Sequence, residues 1–237
     1  MRSVTLGRRV RAAVTGRSGG VSAAPYAELN LGGRVGDDPI AVADNRARLA
    51  DGLGLGGLAF MEQVHGADVA VAARAGETPH TDGLVTVTAG LGLVVLVADC
   101  TPVLLADDTA GVVGAVHAGR RGLAGAIVVR AVEVMAEAGA HPNRVAAWLG
   151  PAVCGGCYEV PAELRDEVDA AAPGSAATTR AGTPAVDIRA GLRRQLRDAG
   201  VRDVTVDATC TMEDPAYFSY RRDHVTGRFA GVVWLAE

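Results

Sequence analysis

The chain of 237 residues contains no lysine, and all 23 of its basic residues are arginines. This absence excludes enzymes that form a Schiff base through a lysine, and it excludes proteins that bind nucleotides with the lysine of a P-loop. Any anionic substrate must therefore be bound by arginine side chains, by backbone N–H groups or by a metal ion.

Long apolar runs are also missing. No stretch approaches the roughly 18 consecutive apolar residues of a membrane-spanning helix, and residues 1–14 lack the apolar segment of a secretory signal. We therefore expect a cytoplasmic protein with reduced thiols and no membrane contact. The formal net charge is −4, and acidic and basic residues are interspersed without a basic patch, so we expect no nucleic-acid partner.

Cysteine is scarce, with four residues in the chain. Cys154 and Cys157 form a C-x-x-C pair, but no second close pair exists, which argues against a four-cysteine zinc ribbon. The pair could bind a metal, undergo redox chemistry or simply lie in a glycine-rich turn, and the turn is the favoured interpretation. Cys210 is expected in the core or near a functional site, with no chemistry assigned to it.

The most regular part of the chain is a run of apolar segments around its centre. Strands are predicted near 93–98, 102–106 and 112–117, because each segment is continuously apolar and short. The following segment, 122–139, is rich in alanine and valine and ends at a glycine, which predicts one helix.

Shorter strands and helices are predicted on both sides of this centre. Asp38 is expected to cap a helix that begins at Pro39 and is ended by Gly52. The segment 170–184 is predicted to be a loose connector. Because strands outnumber helices and cluster in hairpin-length groups, we predict a single α+β domain, residues 1–237, with a mixed sheet and flanking helices. Further strands are expected at 10–15, 58–64, 67–73, 84–88, 145–149, 204–206 and 229–235, and further helices at 161–171 and 187–198.

Three reactive side chains, His65, Cys100 and His117, each follow a strand-like run. Burying an unpaired polar group costs about 2–7 kcal/mol, so a fold that places such groups at the ends of apolar strands generally uses them. Two histidines and one cysteine match a tetrahedral zinc site with an open fourth position. Taken singly, each histidine could instead be a core residue, and Cys100 an inert buried thiol.

Two arginine-containing segments are candidates for binding an anion. Arg120 and Arg121 follow His117 at the predicted start of a helix, where free N–H groups favour negative charge. The segment 217–222 combines aromatic residues with two arginines, which suits stacking on a base together with a phosphate contact. In both segments the arginines could instead be surface residues that face solvent.

Several short motifs resemble, in the same order along the chain, those of the YfiH-like family, whose members are also called laccase-domain or polyphenol oxidase proteins and are described as purine nucleoside phosphorylases. The resemblance covers nearly the whole chain. It rests on residues 17–22, 30–32, 36–46, 63–66 (QVHG), 81–86 (TDGLVT), 98–105 (ADCTPVLL), 117–122 (HAGRRG), 149–152 (LGPA), 157–160 (CYEV) and 218–222 (FSYRR).

The resemblance implies an α+β domain that binds zinc and acts on purine nucleosides. The implied reactions are phosphorolysis of adenosine, inosine, guanosine and methylthioadenosine, and deamination of adenosine. The metal ligands carry over onto His65, Cys100 and His117. The sequence departs from the family at Arg120, where a tryptophan is usual, and at Cys154-Gly-Gly-Cys157, where Gly-Pro-Cys-Cys is often found.

Deamination fits a zinc site because Zn²⁺ lowers the pKa of a coordinated water toward about 7. We expect Cys100 and His117 at the reaction centre, with the carboxylate of Asp99 or Glu62 to transfer protons.

Phosphorolysis also requires a bound phosphate. We expect Arg46 and Arg121 to contact phosphate, and Asn30 and Arg222 to contribute to substrate binding. The partners expected are purine nucleosides and phosphate, and the expected assembly is a monomer or weak homodimer.

Three other functions remain open at this stage. A copper-dependent polyphenol oxidase would use the same two histidines and cysteine, but five histidines in the chain are few for the additional trinuclear cluster. A cysteine-type amide hydrolase that edits a cell-wall precursor would use Cys100 as nucleophile and His117 as base. A nucleoside-binding module would bind without turnover, although buried reactive residues argue against it.

Overall fold

A computed structural model describes residues 1–78 and 80–236, and within these ranges the chain forms fourteen β-strands and six α-helices. The strands are β1 (Arg2–Val4), β2 (Val10–Val14), β3 (Gly57–Met61), β4 (Val69–Val71), β5 (Gly76–Thr78), β6 (Gly83–Thr86), β7 (Leu91–Val97), β8 (Thr101–Asp107), β9 (Val112–Ala118), β10 (Ala146–Leu149), β11 (Ala176–Thr178), β12 (Pro184–Val186), β13 (Asp203–Val206) and β14 (Phe229–Leu235). The helices are α1 (Pro39–Leu53), α2 (Arg120–Ala124), α3 (Ile127–Glu137), α4 (Ala162–Ala171), α5 (Ile188–Asp198) and α6 (Tyr220–Asp223), and a 3-10 turn spans Pro142–Arg144.

Twelve of these strands form two six-stranded sheets. The first sheet has the strand order β1-β2-β14-β7-β3-β5, and the second has the order β13-β10-β8-β9-β6-β4. Both sheets are mixed, since β7 pairs antiparallel with β14 and parallel with β3, and β10 pairs antiparallel with β8 and parallel with β13. The predicted α+β class with mixed strand pairing and flanking helices is confirmed.

The two sheets pack face to face, and helices cover both outer faces. Leu93 of the first sheet and Leu104 of the second lie in one apolar cluster between the sheets. Leu49 of α1 packs with Val94 on the outer face of the first sheet. Helices α3 and α5 cover the outer face of the second sheet, where Val103 is buried. The order of layers is therefore helix, sheet, sheet, helices.

This layering explains why the central strands are continuously apolar. Alternate residues of a strand point to opposite faces of its sheet, and in β7 and β8 both faces are buried. Leu93 faces the other sheet whereas Val94 faces α1, and Leu104 faces the other sheet whereas Val103 faces the helices. Strand β7 belongs to the first sheet and β8 to the second, so the turn at residues 98–100 crosses between the sheets.

Two predicted segments are wrong in detail. The segment 122–139 does not form one helix, because α2 ends at Ala124 and α3 begins at Ile127, with Ala126 in the left-handed region at φ 56°. A Cβ added at Gly125 would lie 3.1 Å from the Cβ of Ala67, so close packing on the neighbouring loop replaces the continuous helix that local propensity favours.

The segment 170–184 is more regular than predicted. Its residues include β11 and lead into β12, which together form an antiparallel hairpin. The N-terminal helix has the predicted cap, since the Asp38 side chain accepts the N–H of Ile40, but it runs past Gly52 and ends at Gly54, which has φ 66°. Among the helices of the described residues, none has the length and apolar character needed to cross a bilayer.

Candidate metal centre and substrate cavity

The three predicted metal ligands lie together at one end of the two sheets. His65 follows β3, Cys100 lies in the turn between β7 and β8, and His117 lies near the end of β9. One donor atom from each residue lies within 4.8 Å of the others. The two imidazole rings meet edge to face, with their centroids 4.7 Å apart. Residues separated by up to 52 positions are thus brought to one point.

A buried aspartate, Asp82, holds two of these ligands in place. Its Oδ1 lies 2.7 Å from Nδ1 of His117, which leaves Nε2 of that ring as its donor to a metal. Its carboxylate also accepts the backbone N–H groups of Val64, His65 and Gly66 at 2.7–3.1 Å. His65 itself has φ 60°, a left-handed conformation that this set of hydrogen bonds stabilises.

The electrostatics of the cluster favour a thiolate. Burial disfavours ionisation of Cys100, but the neighbouring His117 and His65 outweigh burial and lower the pKa of the thiol well below its usual value. Burial likewise disfavours the charged form of His117, but the Cys100 sulfur and the Asp82 carboxylate raise the pKa of the imidazole. Burial also opposes ionisation of Asp82, and its hydrogen bonds with His117 and the Gly66 N–H more than offset it, so the pKa of Asp82 is lowered.

The residues present fit a metal ion that needs soft and borderline donors. Two imidazole nitrogens and a readily ionised thiol are a zinc-type donor set with room for a fourth ligand. Gly119 keeps that space open, because a Cβ at this position would lie 3.0 Å from Sγ of Cys100 and 3.2 Å from Cδ2 of His65. Any residue other than glycine would therefore crowd the donors.

The cluster forms the floor of a cavity of about 860 Å³. This volume lies in the range of cavities that enclose ligands of nucleoside size. Arginines are prominent on its walls. The lining includes Gly32, Arg34, Arg46, Gln63, His65, Leu96, Asp99, Cys100, His117, Arg120, Tyr158, Arg221 and Arg228.

Arg46 is the predicted phosphate contact that the structure places in this wall. Its guanidinium stacks over the ring of Phe60 at 4.1 Å, and its Nε donates to the carbonyl of Leu31 at 3.0 Å. Burial lowers the pKa of Arg46, as it does for Arg228 on the same wall. A half-buried, oriented guanidinium binds an anion more strongly than one in open solvent.

The other predicted binding residues lie outside the cavity lining. Arg121 is exposed, and it is its neighbour Arg120 that lines the cavity. The guanidinium of Arg222 donates to the carbonyls of Thr211 and Tyr217 and pairs with Asp223, so it holds the C-terminal loops together.

Asn30 is fully buried beneath the cavity wall. Its amide nitrogen donates to Gly32 and Asp37, and its Oδ1 accepts the N–H groups of Gly32 and Arg228. Asn30 therefore shapes the wall from behind, through the loop that carries Gly32 and through Arg228.

Both candidate carboxylates reach the cavity. Asp99 accepts the hydroxyl of Thr211 at 2.7 Å and the N–H of Arg221 at 2.6 Å, and its backbone has φ 99°. Glu62 pairs with Arg34, and this ion pair lowers the pKa of Glu62. Of the two, Asp99 is adjacent in sequence to Cys100, a candidate metal ligand.

The chain is similar to known proteins over nearly its whole length. A family model described as "Multi-copper polyphenol oxidoreductase laccase" matches residues 11–236. The chain belongs to this family. The resemblance to YfiH-like proteins that the motifs indicate is thereby confirmed.

One similar relative is "Purine nucleoside phosphorylase ORF3" of Streptomyces griseus, which is 57% identical over 94% of this chain and 93% of its own length. Among solved structures, protein NMB0706 of Neisseria meningitidis is 35% identical with a TM-score of 0.89 and covers 100% of both chains. YfiH of Bacillus licheniformis is 29% identical with a TM-score of 0.88 and covers 95% of this chain and 92% of its own.

The family's description names several copper ions, and such a centre needs further histidine ligands close together. Among the residues that the structure describes, two groups of three or more metal-binding side chains occur, and His65 and His117 are the only histidines in them. His80, His141 and His224 belong to neither group. A further histidine-rich copper cluster is therefore not formed by the described part of the chain.

Asp82 is the residue of the candidate site that sequence analysis misses. It lies in the Thr81-Asp-Gly83 motif, which local sequence alone identifies only as a turn. The usable signal is that a metal-bound histidine needs an acceptor for its second ring nitrogen, so a carboxylate is expected near each candidate ligand.

Proposed function

We propose that this protein is a zinc-dependent purine nucleoside phosphorylase, acting on adenosine, inosine, guanosine and methylthioadenosine, that also deaminates adenosine. The observation that carries the proposal is the cluster of His65, Cys100 and His117 on the floor of a cavity of about 860 Å³. The name of the Streptomyces griseus relative, 57% identical to this chain, supports the phosphorolytic activity.

In phosphorolysis an oxygen of inorganic phosphate attacks C1′ of the ribose. The bond from C1′ to the purine nitrogen breaks, its electron pair leaves with the base, and the base takes up a proton. Zn²⁺ held by His65, Cys100 and His117 would supply a Lewis acid at the cavity floor. The protein must in addition orient the phosphate opposite the leaving base and exclude bulk water.

We assign phosphate orientation to the arginines of the wall. Arg46 is fixed by Phe60 and by the Leu31 carbonyl, so little side-chain entropy is lost when it binds an anion. Arg120 follows His117 by three residues and also lines the cavity, so its guanidinium supplies a second set of N–H donors for the phosphate. We assign purine stacking to Tyr158, over which the Arg221 guanidinium already lies at 4.9 Å.

Asp99 is the carboxylate that we assign to proton transfer in deamination. Deamination adds water to C6 of adenine and releases ammonia, so a proton must move from the water to the leaving amino group. Asp99 is oriented toward the cavity by Thr211 and by the Arg221 N–H. We expect Asp99→Asn to lower deamination more than Glu62→Gln, since Asp99 is adjacent to Cys100 in the cavity lining, whereas the charge of Glu62 is neutralised by its ion pair with Arg34.

The test uses purified protein with adenosine in the presence and absence of phosphate, and the products are separated by chromatography. Adenine and ribose 1-phosphate formed only with phosphate demonstrate phosphorolysis, and inosine demonstrates deamination. Chelation and the variants His65→Ala and Cys100→Ser should abolish both reactions, because each removes metal. Absence of all three products from zinc-loaded, folded protein would refute the proposal.

A cysteine-type amide hydrolase is the second candidate, and one observation favours it. Cys100, His117 and Asp82 lie in the order thiol, imidazole, carboxylate that a nucleophilic triad requires. Removal of the metal should abolish the phosphorylase activity, whereas a cysteine hydrolase should remain active because its Cys100 thiol is then free. Covalent labelling of Cys100 in chelated protein, together with amide cleavage that survives chelation, would favour the hydrolase.

A further inference from the structure

The other three cysteines converge on a carboxylate behind the cavity wall. The sulfur atoms of Cys154, Cys157 and Cys210 and a carboxylate oxygen of Glu213 all lie within 4.8 Å of one another. Tetrahedral zinc with Zn–S bonds of about 2.3 Å separates its ligand atoms by roughly 3.8 Å. The four donors therefore surround a space of the size that a single ion occupies.

Two turns of the same kind present these four donors. In the first turn the N–H of Cys157 donates to the carbonyl of Cys154 at 2.9 Å. In the second the N–H of Glu213 donates to the carbonyl of Cys210 at 3.1 Å. A C-x-x-C pair thus faces a C-x-x-E pair, each with the short spacing typical of structural zinc sites. The sequence shows no second close cysteine pair because the fourth donor of this arrangement is the carboxylate of Glu213.

The backbone fixes the two turns against each other. Ala152 and Cys210 form a bridge between the two segments, and the N–H of Cys154 points at Sγ of Cys210 at 3.4 Å. Gly155 allows the first turn to pack closely, since a Cβ there would lie 2.9 Å from the Cβ of Asp187. The donors are therefore brought together by main-chain contacts as well as by the positions of their side chains.

The charges around the cluster suit a metal-thiolate centre. Three thiolates and a carboxylate carry more negative charge than a divalent ion neutralises. Arg180 supplies positive charge at this point, because it pairs with Glu213 and its Nη1 lies 3.1 Å from Sγ of Cys157. An arginine placed on a thiol sulfur and a carboxylate together is expected beside an anionic centre.

From this geometry we propose a second metal site, made by Cys154, Cys157, Cys210 and Glu213, that binds Zn²⁺ in tetrahedral coordination. Binding releases the thiol protons to solvent, and no redox step is involved. The site links the loop after β10 to the loop after β13. Thr211, next to Cys210, donates to Asp99, so the second ion also supports the wall of the main cavity from outside.

Zinc content of the intact protein, measured by elemental analysis after desalting, tests the proposal. We expect two equivalents in the unmodified protein, one in His65→Ala, one in Cys157→Ser and none in the double variant. Cobalt-loaded His65→Ala should show a thiolate-to-cobalt charge-transfer band that disappears in the double variant. A folded His65→Ala protein that retains no zinc would overturn the proposal.

Two further measurements keep the test decisive if Cys157→Ser misfolds. Glu213→Gln, at an exposed position, should weaken zinc binding in the His65→Ala background at least tenfold, whereas Glu163→Gln on α4 should not change it. Thiol titration of denatured, unreduced protein should find all four cysteines free. A count lower by two would show a disulfide in place of the metal site and would also overturn the proposal.

Discussion

The carboxylate of Asp82 joins two candidate metal ligands that lie in different parts of the chain: its Oδ1 lies 2.7 Å from Nδ1 of His117 and accepts the backbone N–H of His65 at 3.0 Å. Asp82 has no solvent exposure. One buried side chain therefore sets both the ring orientation of His117 and the strained backbone of His65, so the two donors are positioned together before a metal binds.

We expect Asp82→Asn to weaken zinc binding at the main site by about 10–100-fold, as is typical when the partner of a metal-bound histidine is removed. The asparagine amide would place N–H donors against the N–H groups of Val64 or Gly66, which now donate to the carboxylate. Affinity is measured by competition with a chromophoric chelator. Asp68→Asn, at an exposed position, is the control. Equal affinities in the two variants would contradict this role.

A side chain at position 119 should disturb metal binding at the same site by steric contact with its donors. In Gly119→Ala the added Cβ would lie 3.0 Å from Sγ of Cys100 and 3.2 Å from Cδ2 of His65, so either the donors move apart or metal affinity falls. We expect lower zinc occupancy by elemental analysis with little loss of thermal stability. Gly56→Ala is the matched control, since nothing lies within 4 Å of its added Cβ. Unchanged occupancy in Gly119→Ala would show that the open space is not required.

The grouping of the three candidate metal ligands could be predicted because its sequence signals are local. His65, Cys100 and His117 each stand at the end of an apolar run, where a reactive side chain is conspicuous. Strands β7, β8 and β9 have both faces buried, so their apolar pattern is continuous and their bounds are predicted to within about two residues. Strand β3, before His65, ends three residues earlier than the predicted segment 58–64.

Features that depend on distant contacts are not predicted. Asp82 is identifiable as a ligand partner only once β6 is seen to lie beside β9. The break between α2 and α3 arises from packing at Gly125, against the local helix propensity of the segment. The donors Cys210 and Glu213 meet the C-x-x-C turn through a bridge between segments more than 50 residues apart.

The position of Arg46 in the cavity wall predicts that its substitution weakens phosphate binding. We expect Arg46→Ala to raise KM for phosphate by roughly tenfold or more, because a hydrogen bond to a charged group contributes about 1.5–3 kcal/mol, while KM for the nucleoside changes less. Arg48→Ala is the matched control, since Arg48 lies two residues further along α1 and pairs with Asp44 at the surface. Initial rates at varied phosphate measure the effect. A similar KM in both variants would remove Arg46 from phosphate binding.

The sequence and the structure favour different arginines, Arg121 and Arg120, as the one that contacts the substrates of phosphorolysis. Both follow His117, and sequence analysis selects Arg121, but Arg120 lines the cavity and Arg121 is exposed. We expect Arg120→Ala to lower kcat/KM for phosphorolysis by about tenfold or more, as loss of a charged contact would, and Arg121→Ala to leave it unchanged. The opposite ranking would restore the sequence-based assignment.

Asp107, at the end of β8, is a buried carboxylate far from this chemistry. It has no solvent exposure, accepts the backbone N–H groups of Ala110 and His141 at 3.0 and 2.9 Å, and forms an ion pair with Arg144 at 3.0 Å. Burial opposes its ionisation, but the hydrogen bonds from His141, Ala110 and Arg144 outweigh burial and lower the pKa of Asp107 below its usual value.

We therefore expect Asp107→Asn to lower the free energy of unfolding at pH 7 by about 1–3 kcal/mol, the cost of leaving buried donors unsatisfied. A carboxyl whose pKa is lowered on folding stabilises the fold fully above its unfolded pKa of about 3.9, and this stabilisation is lost as the pH falls through the lower folded pKa. The difference between the two proteins should therefore shrink below pH 4, measured by urea unfolding across pH. Asp198→Asn, an exposed partner of Arg194, should change stability by less than about 0.5 kcal/mol. A pH-independent deficit in Asp107→Asn would show that packing, and not the ionised carboxylate, accounts for the effect.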